Sequence, residues 1–248
     1  MQILSRSGTI NVNDLKDYRE KELKNYVIGN ILIALLLTNM LEQVIGMEAN
    51  TTFEACKALI GSAVISSVLY IYVFITNSIL PGDTKFAICY LGITKMPGFT
   101  IFADAQENNW KHRKALDGRY TAEEVKAKYA QVYADLENEK DADKRKELQN
   151  TYWFRIYRRH QTEPAIYTAN RDFLLCRDIC IMTLWLLLAY LGACRLSVLP
   201  FSCKLVEFFL IEFALTFFAV RGKGGRLARN VLAADIHPRV EKESDSGT

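Results

Sequence analysis

Two stretches almost free of charge limit what this chain can become. Residues 26–47 hold a single charged side chain, Glu42, and residues 58–80 hold none. A helix of about 20 apolar residues matches the roughly 30 Å hydrocarbon core of a bilayer. The intervening chain is of another kind, because residues 81–173 carry 16 Lys/Arg and 14 Asp/Glu. The overall 50% hydrophobic and 24% charged composition therefore averages two populations. The runs predict an integral membrane protein and argue against a fully soluble domain or a secreted disulfide scaffold.

Two further apolar runs follow the charged segment. The third spans about Phe173 to Cys194, with Arg177 and Asp178 near its start, where long side chains can snorkel to headgroups. The fourth, about Leu205 to Val220, contains Glu207 and Glu212. Pro81-Gly82 reads as the turn that closes the first hairpin; Pro200, and then Gly222, Gly224 and Gly225, supply later stops. The expected fold is an all-α membrane protein with four transmembrane helices in two hairpins and a mostly helical cytosolic domain between them. Its parts are a cytosolic N-terminal segment (1–25), hairpin 1 (26–80), the cytosolic domain (81–172), hairpin 2 (173–221), and a basic juxtamembrane segment with a disordered tail (222–248).

An even number of spans puts both termini on one side. Of 31 Lys and Arg, only Lys57, Arg195 and Lys204 fall in or beside the two short loops. Short loops poor in Lys and Arg are the outer ones, so the termini and the polar middle are expected to be cytoplasmic. The polar stretch ahead of Tyr26 and the lack of a small-residue cleavage site argue against a cleaved signal peptide. None of the six cysteines shows CxxC or Cys/His metal spacing. They read as packed thiols, with a Cys194–Cys203 disulfide as the alternative in an oxidising compartment. Asn50-Thr51-Thr52 is a glycosylation sequon only in a secretory host.

Within the charged segment, Thr121-Ala-Glu-Glu124 is a capping box, and Val125, Tyr129, Val132, Tyr133 and Leu136 recur at helical spacing. This predicts an amphipathic helix to about Leu136. A second, from about Asp141 to His160, carries Leu148, Tyr152, Trp153, Ile156 and Tyr157 on one face. Thr162 and Pro164 mark the start of a helix that continues into the third run. Residues 86–102, interrupted by Gly92, Pro97 and Gly98, read as short strands or an ordered loop.

Three groups of side chains are candidates for chemistry. Glu42, Glu207 and Glu212 are acids in apolar runs, where an ionised carboxylate costs about 2–4 kcal/mol on insertion scales. Glu207 and Glu212 point about 140° apart on a helix, so only one can occupy a buried stripe. Asn30, Asn39 and Gln43 are potential interhelical glue, and Gly61, Ser62, Ser66 and Ser67 suit close helix contact. The second group is basic: Arg221, Lys223, Arg226 and Arg229, with Arg155, Arg158 and Arg159 of the cytosolic helix. Its leading explanation is attraction to anionic lipid at about 1 kcal/mol per residue; the sharper one is a site for a phosphate-bearing ligand. Arg-Gly-Lys-Gly-Gly-Arg is not a Walker A sequence, which disfavours an ATPase. Third, Arg155 and His160 have the four-residue separation used by HEPN-type RNases, although Ile156 stands where a polar residue usually follows the arginine. No Ser/His/Asp, zinc or cofactor constellation emerges, so no cofactor and no enzymatic activity are expected.

Met96-Pro97-Gly98-Phe99, Trp153-Phe154-Arg155 and Arg171-Asp172-Phe173-Leu174-Leu175 leading into a span resemble a pattern in small four-span membrane effectors of bacterial antiphage defence, the Hailong-type effector above all. The resemblance implies a homo-oligomeric channel-like assembly in the inner membrane. Its conductance would be controlled by a cytosolic nucleotide or oligonucleotide made by a partner nucleotidyltransferase. A membrane-tethered RNase using Arg155 and His160, and a non-enzymatic scaffold binding a partner through residues 121–160, are the alternatives.

Overall fold

The computed structural model describes residues 12–37, 71–72, 74–91, 96–106, 120–197 and 199–238. The described residues are all-helical. Asn39, Glu42, Gln43, the Asn50 sequon, most of the second apolar run and the tail beyond Pro238 lie outside them. The chain divides into two compact units, one comprising residues 1–91 and 171–221 and the other 92–170 and 222–248.

In the first unit, α1 (Val12–Leu37) joins the polar N-terminal stretch and the first apolar run in one helix. Its buried positions, Leu23, Val27, Asn30 and Ile31, repeat at the spacing of a single helical face. The helical residues 74–79 end before Pro81, and α2 (Gly82–Tyr90) restarts the chain. Most of α7 (Pro164–Arg195) and the first part of α8 (Cys203–Ile236) complete the unit. Val27 and Ile31 of α1, Met182, Leu186 and Tyr190 of α7, and Leu205 and Phe209 of α8 form its core.

By length and composition, α7 is the one helix among the described residues that could cross a membrane. Along α8, Lys204, Glu207, Glu212 and Arg221 recur too closely for a span-length stretch to escape them. Many apolar side chains of the unit are nevertheless open to the outside: Leu210, Ile211, Leu215 and Phe218 of α8 are 53–67% exposed.

The second unit starts with a 3-10 turn at Pro97–Phe99 and α3 (Ile101–Gln106). With α2, these elements stand, among the described residues, where strands or a loop were expected over residues 86–102. Pro97 and Gly98, which suggested interruption, form the 3-10 turn itself. Gly98 lies in the 3-10 turn because α6 (Ala142–His160) packs over it: a Cβ there would come within 2.6 Å of Asn150 Oδ1 and 2.9 Å of Trp153 Cε3. Two of the sequence signatures, around Gly98 and Trp153, thus touch.

The capping box at Thr121 forms in full, with Glu124 N–H donating to the Thr121 hydroxyl and Thr121 N–H to the Glu124 carboxylate. The single helix expected to Leu136 is two, α4 (Ala122–Lys128) and α5 (Ala130–Asn138), parted at Tyr129, where φ −108° and ψ 29° leave the helical region. Tyr129 uses that break to face inward, with its ring edge-on to Phe102 at 5.3 Å. Asp141 caps α6 by accepting from the N–H groups of Asp143 and Lys144.

Gly222, Gly224 and Gly225 do not stop α8, which continues to Ile236. A helical glycine costs about 1 kcal/mol relative to alanine. Burial of Leu227, Ala228, Val231 and Leu232 just beyond outweighs that cost, so the helix runs on through residues 222–236, past the stops expected at the glycines.

Candidate functional site

Within the first unit, the inward stripe of α8 reads Leu205, Phe209, Glu212, Thr216 and Val220, which places an acid in the middle of an apolar interface. Glu207, about 140° away, is exposed. Glu212 Oε1 accepts a hydrogen bond from Asn30 Nδ2 of α1 at 3.2 Å, and the same nitrogen lies 3.2 Å from the Tyr26 carbonyl. The Tyr26 hydroxyl stands 2.6 Å from Thr183 Oγ1 of α7, which in turn donates to the Ile179 carbonyl at 3.0 Å, and it lies close to Glu212. Thr183 is fully buried and Asn30 is 4% exposed. Three helices therefore bring one carboxylate, one amide and two hydroxyls together in an otherwise hydrophobic core. Burying an acid among apolar side chains is costly unless its oxygens are satisfied, and here Glu212 Oε2 and Asn30 Oδ1 have no hydrogen-bond partner.

A second polar centre of this unit surrounds Asp178, which is 2% exposed. Arg177 reaches it at 2.8 Å, Arg19 at 3.4 Å and Lys85 at 3.6 Å. One carboxylate thus answers three cations from α1, α2 and α7. Burial, reinforced by the neighbouring guanidiniums, pulls the Lys85 ammonium below its usual range against the opposing pull of Asp178. The Arg177 guanidinium lies 4.9 Å from the Phe86 ring centre, and Phe86 stacks on Phe173 at 5.7 Å. Arg177 and Asp178 are therefore buried partners rather than side chains reaching for headgroups. Cys89 is fully buried and reaches the Arg177 carbonyl. Cys194 and Cys203 carry free thiols.

The second unit has its own centre at Asp235, near the end of α8. Tyr129 donates to its carboxylate at 2.7 Å, His160 Nε2 lies at 2.9 Å, Lys128 at 3.4 Å and Arg159 at 3.6 Å. Burial pushes the Asp235 carboxyl upward, but the hydrogen bonds from Tyr129 and His160 and the charges of Lys128 and Arg159 outweigh it and hold it below the usual carboxylate range. The other ring nitrogen of His160 meets Glu163 at 2.5 Å. Beside this group, a cavity of about 210 Å³ is lined by Glu163, Ile166, Asn230, Ala233, Ala234 and His237.

The basic residues singled out in the sequence divide between the two units. Arg221 belongs to the first unit, where it donates to the Tyr90 carbonyl at 3.3 Å and lies 3.9 Å from the Phe217 ring centre. Arg155, Arg158, Arg159, Lys223, Arg226 and Arg229 belong to the second. Arg155 rests over Tyr152 and Arg158 over Phe154, while Arg159 pairs with Asp235. Of the two residues at HEPN-type spacing, Arg155 lies over the Tyr152 ring at 5.7 Å, and both nitrogens of His160 face carboxylates. The centres at Asp178 and Asp235 escaped the sequence because their partners are far apart along the chain. The run Tyr129, Val132, Tyr133, Leu136 showed where Tyr129 points, but nothing in it named Asp235.

The class defined so far is an all-α protein with two polar centres set in one apolar unit, and with one helix that by length and composition could cross a bilayer. Compared with known proteins, the chain matches no family model, no curated protein and no solved structure.

Proposed function

We propose that this protein is a membrane effector of bacterial antiphage defence. In this reading four helices cross the inner membrane as two hairpins, both termini and the polar middle lie in the cytoplasm, and copies assemble into a homo-oligomer. A nucleotide or oligonucleotide from a partner nucleotidyltransferase controls its permeability. The observation that carries the reading is Glu212, an acid on the inward stripe of an apolar helix, held by Asn30. Intramembrane acids are rare, face bundle interiors and mark ion pathways. The exposed Leu210, Ile211, Leu215 and Phe218 on the same helix suit contact with lipid or a second copy.

The ligand half rests on the exposed guanidiniums of Arg155 and Arg158, whose own helix offers them only aromatic faces. Stacked arginines keep their N–H fork free for a phosphate. A ligand can shift the assembly only by binding its conducting and closed forms unequally. Inducing the protein in a bacterial host should depolarise the membrane and admit a small dye. Glu212→Gln should alter that leak, and Arg155→Ala combined with Arg158→Ala should remove its dependence on the trigger. Membranes that stay sealed under phage infection and under co-expression of the nucleotidyltransferase would refute the reading.

A further inference from the structure

Glu212 and Asn30 each keep one oxygen in reserve. Their shared hydrogen bond uses Glu212 Oε1 and Asn30 Nδ2, leaving Glu212 Oε2 and Asn30 Oδ1 buried with nothing to accept from. Buried acceptors in protein interiors are nearly always paired, so two on adjacent groups call for a donor or a cation between them. Two more oxygens stand beside them. The Tyr26 hydroxyl is close to Glu212 and Asn30 and lies 2.6 Å from Thr183 Oγ1, which donates to the Ile179 carbonyl at 3.0 Å. Each hydroxyl has one hydrogen to give and two lone pairs, so the pair retains lone pairs after its mutual bond.

We propose that Glu212 Oε2, Asn30 Oδ1, Tyr26 Oη and Thr183 Oγ1 form a binding site for a small monovalent cation, sodium first among them. All four donors are hard oxygens, the type that suits hard cations. A single carboxylate matches a single positive charge, whereas calcium-type sites gather several carboxylates and six to eight oxygens. The cation neutralises Glu212 where an ionised acid is otherwise expensive, and it takes up lone pairs that the two hydroxyls keep after bonding each other. A protonated Glu212 donating to Asn30 Oδ1 would also satisfy the two reserve oxygens, but it leaves the spare lone pairs of both hydroxyls without a partner. The site depends on Glu212 being the ion-coordinating acid of the proposed function and is independent of the ligand that gates it.

The test is thermal melting of the purified full-length protein in detergent, in sodium, potassium or choline chloride at equal ionic strength. Sodium should raise Tm over choline by about 5 °C, as expected when a ligand saturates a site on the folded state alone. Glu212→Gln and Thr183→Val should abolish the increment, and Glu207→Gln should keep it. If Glu212→Gln does not fold, Asn30→Asp adds a second negative oxygen and should enlarge the sodium increment. Equal Tm in all three salts, the outcome a protonated Glu212 predicts, overturns the site, as does an increment that survives Glu212→Gln. Melting in detergent requires no conductance, so a sodium increment in a protein that never makes membranes leak refutes the effector reading alone. A leak without the increment refutes only the cation site.

Discussion

A methyl group on Gly98 has nowhere to go, because Asn150 and Trp153 already occupy the space a Cβ would take. Gly98→Ala should therefore destabilise the protein by about 1–3 kcal/mol, the usual penalty for overpacking, read as a drop in Tm. The sequence marked Gly98 as a breaker; its real constraint is a neighbour some 50 positions later, which no local pattern reveals. Asp235 is a similar case. Its folded-state carboxyl titrates below the ordinary aspartate range, so its contribution to stability is present above about pH 4 and is lost as pH falls through the depressed value. Melting of the wild type should fall more steeply below about pH 4 than melting of Asp235→Asn. Equal slopes would mean that Tyr129, His160, Lys128 and Arg159 do not stabilise the charged form.

At the scale of elements, local signals with a physical cause read correctly. The Thr121 capping box, the inward face of α6 around Ile156 and the helix starting at Pro164 were all legible, because caps, periodicity and proline act within a few residues. Glycine misled. In α8 it signals a stop by local preference, yet packing beyond Arg226 carries the helix through. Gly222 in particular has open space around a would-be Cβ. Gly222→Ala should consequently stabilise α8 by about 0.5–1 kcal/mol and raise Tm, since alanine favours the helix and restricts the unfolded chain. A fall in Tm would show that this stretch needs glycine for some other reason, such as close approach by another molecule. The residues 86–102 misled in the other direction, since three short helical pieces leave no periodicity long enough to count.

For the whole molecule, the apolar runs of the sequence predict four crossings, whereas among the described residues one helix is long and apolar enough to cross a membrane, because charge interrupts the others. The four-span reading makes a direct prediction: a reporter fused at residue 130 should be active in the cytoplasm, and the intact chain should resist carbonate extraction from membranes. A reporter exposed outside, or release without detergent, would reject that topology.

The cluster at Asp178 has a consequence for how such a chain is made. Arg19 and Lys85 lie on α1 and α2, but the carboxylate they share lies on α7. Synthesis runs from the N-terminus, so both cations leave the ribosome well before their counter-charge exists. A nascent chain halted ahead of residue 178 should be rapidly degraded, and co-producing residues 164–248 as a separate polypeptide should rescue it, detectable as a longer half-life in a pulse–chase. The first half of this protein would then be a debtor to the second until translation is nearly done.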